Sequence, residues 1–347
     1  MGVAFLVVFV VSGASAALRG YASSLASASF PVTLTIYVVL LALMNEAISL
    51  PLAFYQGVTL ERRYGLSTQT TGRWWLDHFK AGLVALVFAL LAAAIVCSLL
   101  RWQPVWWWLL AAAVFTVILV GLVQLTPVLL LPLFYEFRPL DREVLVARLT
   151  ALADRAGALV MGVFEWRLSD KTKKANAALT GIGQTRRIII SDTLLAEHSD
   201  EEIEVILAHE LAHHVHRDIW KGIALETALI ALGFYLADVV LTQFATAFGL
   251  TGKADVAALP LLMLAAGAVS LVLMPVANAF SRAHERRADR YALEMTRNVP
   301  AFVSAMKRLG ARNLAEEHPS RLVQILFYTH PPISARIDAA QAWAKSR

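Results

Sequence analysis

Five long apolar stretches run along the chain, at about residues 31–54, 81–100, 105–134, 222–249 and 258–280. Each is long enough to cross a bilayer as a helix of roughly 20 residues. A shorter apolar run at 3–17 is interrupted by Ser12, Gly13 and Ser15. Ala14-Ser15-Ala16 has the small-residue spacing of a signal-peptidase site, yet only Met1 and Gly2 precede the run, so the basic segment that opens a signal peptide is missing. The pattern therefore predicts a first or truncated span there. The fold class that follows is mainly α, a polytopic bundle of five to six transmembrane helices.

Two long polar segments, 135–221 and 281–347, lie outside this pattern and share the periodicity of a water-soluble domain. Within 199–216, Ile203, Ile206, Leu207 and Leu211 recur at helical spacing. Ser199 followed by Glu202 fits a capping box, and Asp200 and Glu201 place negative charge at the helix start. Residues 141–157 read as a second amphipathic helix. Residues 176–179 and 187–190 read as two short strands around Gly181-Ile182-Gly183, which makes a small β-sheet. The domain division is 1–134 for the N-terminal spans with a polar loop at 55–80, 135–221 for the first soluble part, 222–280 for a transmembrane hairpin, and 281–347 for the second soluble part.

The helix at 199–216 carries His209-Glu210-Leu211-Ala212-His213, an HExxH zinc-peptidase signature. At 3.6 residues per turn, His209 and His213 project from one face and can grip the same ion. Glu210 is offset from them but close enough to act on a water in the ion's open position. His214 and His216 fall off that face and read as surface or supporting groups. Cys97 is the single cysteine and sits in an apolar span, so neither a disulfide framework nor a multi-thiolate metal site is available. One zinc ion, held by histidine and carboxylate, suits a catalytic site.

A third ligand is then needed. In the run that follows the last span, Asn278, Arg282, Glu285 and Asp289 are spaced by 4, 3 and 4 and share one helix face. A charged helix end snorkelling its arginines accounts for Arg282, Arg286 and Arg287, but not for acids and an Asn on one stripe. The functional reading makes Glu285 the third zinc ligand and Asp289 a carboxylate supporting a ligand histidine, with Asn278 and Arg282 as further supports.

Composition places this chemistry in a membrane. Hydrophobic residues make up 58% of the chain and charged residues 16%, and the mean hydropathy is +0.60. With six spans, the loops 18–30, 101–104 and 250–257 share one side and carry only Arg19, Arg101 and Lys253. The other 28 of the 31 Lys and Arg residues lie opposite. The positive-inside rule makes that opposite side, with both soluble parts, cytoplasmic. The net charge of +5 thus needs no nucleic-acid partner. Trp102 and Trp106 to Trp108 read as an aromatic belt at the outer interface, Trp74 and Trp75 at the inner one. Asn45, Glu46, Gln124, Glu226 and Asp238 lie at membrane depth, where polar groups face a bundle interior or a wet cavity.

From about residue 48 to 340 the chain resembles the type I CaaX prenyl proteases, integral-membrane zinc metallopeptidases of the gluzincin kind. The resemblance runs through Leu50-Pro51, Glu61 to Thr70, Pro132 to Leu140, Asn176-Ala177 with Gly181, and Ser191 to Leu195. It continues through the HExxH helix, Asn278 to Arg282, Glu285, Ala288-Asp289, and Tyr328-Thr329-His330-Pro331-Pro332 with Arg336 beyond. It implies His209, His213 and Glu285 as zinc ligands, Glu210 as general base, a gluzincin-like catalytic domain, and a wet chamber among the spans. His330 and Arg336 become candidates for the oxyanion, because the family carries His-Pro-Pro with an arginine six residues past the His. A rigid turn closing the domain is the other reading of that segment. Eukaryotic members have seven spans, Ala212 stands where glycine is usual, and His214 stands for a tryptophan. These departures resemble bacterial branches of the family and imply the bacterial cytoplasmic membrane, or the endoplasmic reticulum in a eukaryotic host.

The expected activity is metal-assisted hydrolysis of peptide bonds in membrane-associated or lipidated proteins, with broader membrane-protein quality control as the alternative. Asn176-Ala177 is a candidate edge strand for holding an extended substrate, and an ordinary strand opened by a turn-favouring Asn explains it equally. A zinc-binding scaffold has no need of Glu210. A transporter is disfavoured because HExxH precedes the span at 222–249 and lies in a polar segment.

Overall fold

The computed structural model describes residues 2–27, 29–181, 186–316 and 319–346. It is dominated by helices, and five are long and apolar enough to cross a membrane: Phe30–Arg63, Thr71–Trp102, Trp107–Leu133, Asp218–Phe244 and Val256–Thr296. All five expected spans are present, and those expected at 31–54, 81–100 and 258–280 extend beyond their apolar runs. The expected first or truncated span at 3–17 takes the form of a bent helix pair, which counts as a sixth span if the pair is one span. That segment is two helices, α1 (Gly2–Val11) and α2 (Ala14–Leu25), bent by 78°. The bend falls at Gly13, whose φ of +76° is a left-handed conformation open to glycine at little cost. The expected turn at Gly181-Ile182-Gly183 falls largely outside the described residues.

Two compact units divide the chain. The first comprises Met1–Arg63, Thr70–Leu119 and Ala224–Val272. Here α3 (Phe30–Phe54) contains Pro51, which lacks the N–H for one helical hydrogen bond. A π-helical turn, Tyr55–Leu60, follows before the short α4 (Glu61–Arg63). Then come α5 (Thr71–Trp102), capped by the Thr70 hydroxyl accepting from Arg73 N, and α6 (Trp107–Leu125). Trp102 and Trp106 are exposed, as a belt requires, but Trp107 is fully buried. Its Nε1 donates to Asp238 Oδ1 at 2.6 Å, and Lys253 reaches the same oxygen at 2.7 Å. Asp238 is thus satisfied inside protein. Glu46 likewise meets His78 at 2.6 Å.

The second unit comprises Tyr64–Gln69, Val120–Ile223 and Leu273–Arg347. Its sheet has the order β1-β2-β4-β3, from β1 (Phe137–Pro139), β2 (Val163–Trp166), β3 (Ala177–Thr180) and β4 (Arg187–Ser191). β2 and β4 pair in parallel, and β3 runs antiparallel to β4 in the register Ala177↔Ile190. The strands at 176–179 and 187–190 appear as expected; β1 and β2 were not legible. The amphipathic α7 (Glu143–Arg155), read at 141–157, buries Leu145, Leu149 and Leu152. After α8 (Asp192–Glu197) comes α9 (Asp200–Val215), with its capping box formed in both directions between Ser199 and Glu202. Ile203, Leu207 and Leu211 of α9 join β4's Ile188 and Ile190 and Phe302 in one core.

α6 and the longer α10 (Asp218–Phe244) and α11 (Leu259–Thr296) each have residues in both units. α11 continues without a break through Pro275 to carry Asn278, Arg282, Glu285 and Asp289, as the spacing predicts. The second unit closes with α12 (Val299–Arg312), α13 (Arg321–Phe327) and α14 (Ile333–Lys345).

Candidate active site

α9 and α11 bring the two halves of the expected ligand set together. His209 and His213 lie one turn apart on α9, with ring centroids 5.1 Å apart and planes at 85°. Glu285 of α11 faces both: its Oε2 lies 3.2 Å from His209 Nε2, and its Oε1 3.4 Å from His213 Nε2. Among the described residues, His209, His213 and Glu285 form a group able to offer one ligand atom each, all within 4.8 Å of one another. Ligands at about 2.0–2.1 Å around a tetrahedral ion stand roughly 3.3–3.5 Å apart, close to the two histidine–Glu285 separations. Glu285 is 6% exposed and its Oε2 accepts no hydrogen bond. A buried, unsatisfied carboxylate oxygen beside two imidazoles fits a divalent cation.

Electrostatics among the protein groups agree. Burial disfavours the charged imidazole of His209, but the adjoining Asp289 and Glu285 carboxylates favour it, outweigh burial and push the group up to about 9. A cation and that proton compete for one imidazole. Burial also raises Glu210, against the lowering effect of His209 and His213.

Comparison with known proteins identifies the family of the chain. Residues 139–344 match peptidase family M48, and residues 1–136 match the CAAX prenyl protease N-terminal family of five membrane helices. The chain belongs to peptidase family M48. It is similar to an uncharacterized metalloprotease of Bacillus subtilis, YhfN, with 33% identity over 96% of this chain and 79% of that one. CAAX prenyl protease 1 of Saccharomyces cerevisiae is 26% identical over 86% and 70% of the two chains. The crystal structure of S. mikatae Ste24p shares the fold, with a TM-score of 0.89 at 23% identity over 97% of this chain and 83% of that one. This M48 peptidase is therefore an integral-membrane metallopeptidase, a hydrolase of peptide bonds.

Around the cluster, carboxylates stand behind both histidines. His209 Nδ1 lies 2.9 Å from Asp289 Oδ1. Asp289 in turn accepts two bonds from Arg336 of α14, Nε at 2.8 Å and Nη2 at 2.5 Å. His213 Nδ1 lies 3.1 Å from Asp218 Oδ2. Asp218 is buried, pairs with Arg287, and takes Lys221 at 3.3 Å. Sequence reasoning missed Asp218. An acid five residues past the second histidine is the one trace it leaves, and the break between α9 and α10, where Arg217 takes a φ of +55°, sets its direction.

Asn278 and Arg282 sit away from the cluster. Asn278 Nδ2 donates to the Leu326 carbonyl at 2.6 Å, and Arg282 Nη1 donates to the carbonyls of Gln324 at 2.9 Å and Tyr328 at 2.5 Å. They clamp the segment that leads into His330. His330 Nε2 lies 3.5 Å from Glu285 Oε2, with a side chain 60% exposed. A cleft of about 480 Å³ is lined by Asn176, Ala177, His209, Glu210, His330 and Arg336 together. β3, which begins at Ala177, is one of the two edge strands of the sheet. His214 and His216 make no contact with the ligand set, and His216 packs on Tyr291 instead.

Proposed function

We propose that this M48 peptidase is a zinc endopeptidase of the bacterial cytoplasmic membrane that cleaves membrane-associated or lipidated proteins from the cytoplasmic side. The observation that carries the metal is the convergence of His209, His213 and the unsatisfied Glu285 oxygen. The preference for lipidated substrates draws on the likeness to CAAX prenyl protease 1, and the bacterial setting on the Bacillus relative. The soluble segments' share of the lysines and arginines supports the orientation.

In this reading His209, His213 and Glu285 hold one zinc ion, which when bound would acidify a water and polarise the scissile carbonyl. Glu210, one residue from His209 and lining the cleft, takes the water's proton and passes it to the leaving amine. Asn176 and Ala177 hold the substrate extended against the free edge of β3. Arg336 has two N–H groups on Asp289 and so positions His209 through that carboxylate. His330, which lines the cleft beside Glu285, steadies the oxyanion.

Purified in detergent, the protein is expected to hold one zinc per chain. It should hydrolyse a prenylated peptide, stop on chelation, and recover on zinc addition. Equal turnover of the same peptide without its lipid would replace the lipidated substrate with broad membrane-protein quality control. Retention of full activity after complete zinc removal would sink the metal mechanism. Asp289→Asn and Asp218→Asn are expected to weaken zinc about 10- to 100-fold, as loss of a group behind a ligand does. Competitive chelator titration measures this, and unchanged affinity in both would show the histidines are oriented otherwise.

The hairpin of α10 and α11 must return the chain to the side it left, since the ligands come from both flanking segments. Cysteine reporters replacing Lys253 and Arg312, with Cys97→Ser, should respond oppositely: the first labels from outside, the second only after permeabilisation. Labelling of both from one side overturns the topology.

A further inference from the structure

Two arginines converge on a cavity of about 610 Å³ in the first unit, well separated in sequence from the peptidase residues. Its walls include Arg19 and Ser23 of α2, Phe30 at the start of α3, Arg101 near the end of α5, and Asp255 just before α11. The charge pattern makes the convergence informative. The loops 18–30, 101–104 and 250–257 hold three of the chain's 31 Lys and Arg residues, the depletion expected of a face that the positive-inside rule leaves poor in basic groups. Lys253 is taken up by Asp238. The other two line this one cavity.

Their partners distinguish a structural ion pair from a charge left over. The Asp255 side chain is 1% exposed, pairs with Arg19, and accepts from the Thr251 amide at 2.8 Å, the Thr251 hydroxyl at 2.9 Å and the Ala257 amide at 3.0 Å. It is fully engaged and fixes Arg19 in the wall. Arg101 instead stacks on Phe30, its Cζ 3.8 Å from the ring centroid, and among the described residues it has no carboxylate within 4.0 Å. A stacked guanidinium keeps the N–H groups on its edge free for an anion. Arg19 and Arg101 against Asp255 leave the cavity a net charge of +1.

We propose that this cavity binds the phosphodiester of a membrane phospholipid headgroup. The single negative charge of a phosphodiester equals the net charge of the walls, whereas free phosphate near neutral pH carries more. The edge of Arg101 and the hydroxyl of Ser23 supply donors to its oxygens, and guanidinium–phosphate bonds are among the stronger protein hydrogen bonds. The cavity also lies where spans begin and end, at the level at which headgroups reside.

Native mass spectrometry of the full chain from detergent micelles tests this, with phosphatidylglycerol titrated against dioleoylglycerol, which lacks the phosphate. The wild type should retain one phosphatidylglycerol and no dioleoylglycerol. Arg101→Gln should weaken retention about 10-fold or more, as loss of a charged hydrogen bond does, and Arg101→Lys should fall between. Lys307→Gln, on α12, should match wild type, and all three variants should keep wild-type peptidase activity, which shows they are folded. Equal retention by Arg101→Gln and wild type overturns the site. Displacement of the lipid by millimolar inorganic phosphate, lost in Arg101→Gln, overturns the lipid assignment in favour of a free anion.

Discussion

Glu210→Gln is expected to keep its zinc and to lose peptide hydrolysis. Glu210 lines the cleft, yet its carboxylate is not among the three groups whose ligand atoms converge, so the amide leaves His209, His213 and Glu285 in place. What the amide cannot do is accept a proton. Loss of a general base typically costs about 10²–10⁴ in rate, and roughly 1.4 kcal/mol of barrier accompanies each factor of ten. Zinc quantification and turnover measured on one preparation separate the two properties. Wild-type turnover in Glu210→Gln would end the proposed mechanism, while loss of zinc would move Glu210 into the ligand set.

Glu285→Ala should lose most of its zinc, by more than the 10- to 100-fold expected behind a ligand. Its oxygens lie 3.2 and 3.4 Å from the two imidazoles, and one of them has no hydrogen-bond partner to fall back on. Removing it leaves two histidines on one helix, which is too few to close a site. His209→Ala and His213→Ala should behave alike. Stoichiometric zinc in purified Glu285→Ala would place the third ligand elsewhere, and the α9–α11 pairing would then be structural only.

The local pattern carried much of this site. The capping box at Ser199 and Glu202, the one-turn spacing of His209 and His213, and the 4-3-4 stripe from Asn278 to Asp289 all follow from helical period, a property of neighbours in sequence. Apolar stretches long enough to span a bilayer are equally local, and each of the five became a helix. The strand pair at 177–180 and 187–191 was visible because its apolar residues cluster between turn signals. β1 and β2, of three and four residues, offer no period to read.

Side-chain pairing between distant segments was another matter. On the stripe of α11, Glu285 and Asp289 turn to the histidines, while Asn278 and Arg282 turn to the carbonyls of 324–328. A shared helix face says that four residues look the same way, not what stands opposite each. Trp107 shows the same limit, since a belt tryptophan and one buried on Asp238 are identical in sequence until α10 supplies the carboxylate.

By itself the sequence determined the membrane spans, the chemistry of the HExxH helix and the residue types that could complete it, because hydrophobic length and helical period act over a few turns of chain. Only the tertiary structure decided that Asp218 supports His213, that Arg336 grips Asp289, that α1 and α2 bend apart at Gly13, and that Arg19 and Arg101 share one cavity. Each of these but the bend pairs groups that helix packing and the break between helices bring within hydrogen-bond or cavity reach, and that no local period encodes. At Gly13 the glycine permits the left-handed turn, and α1 and α2 on either side of it both pack on α3.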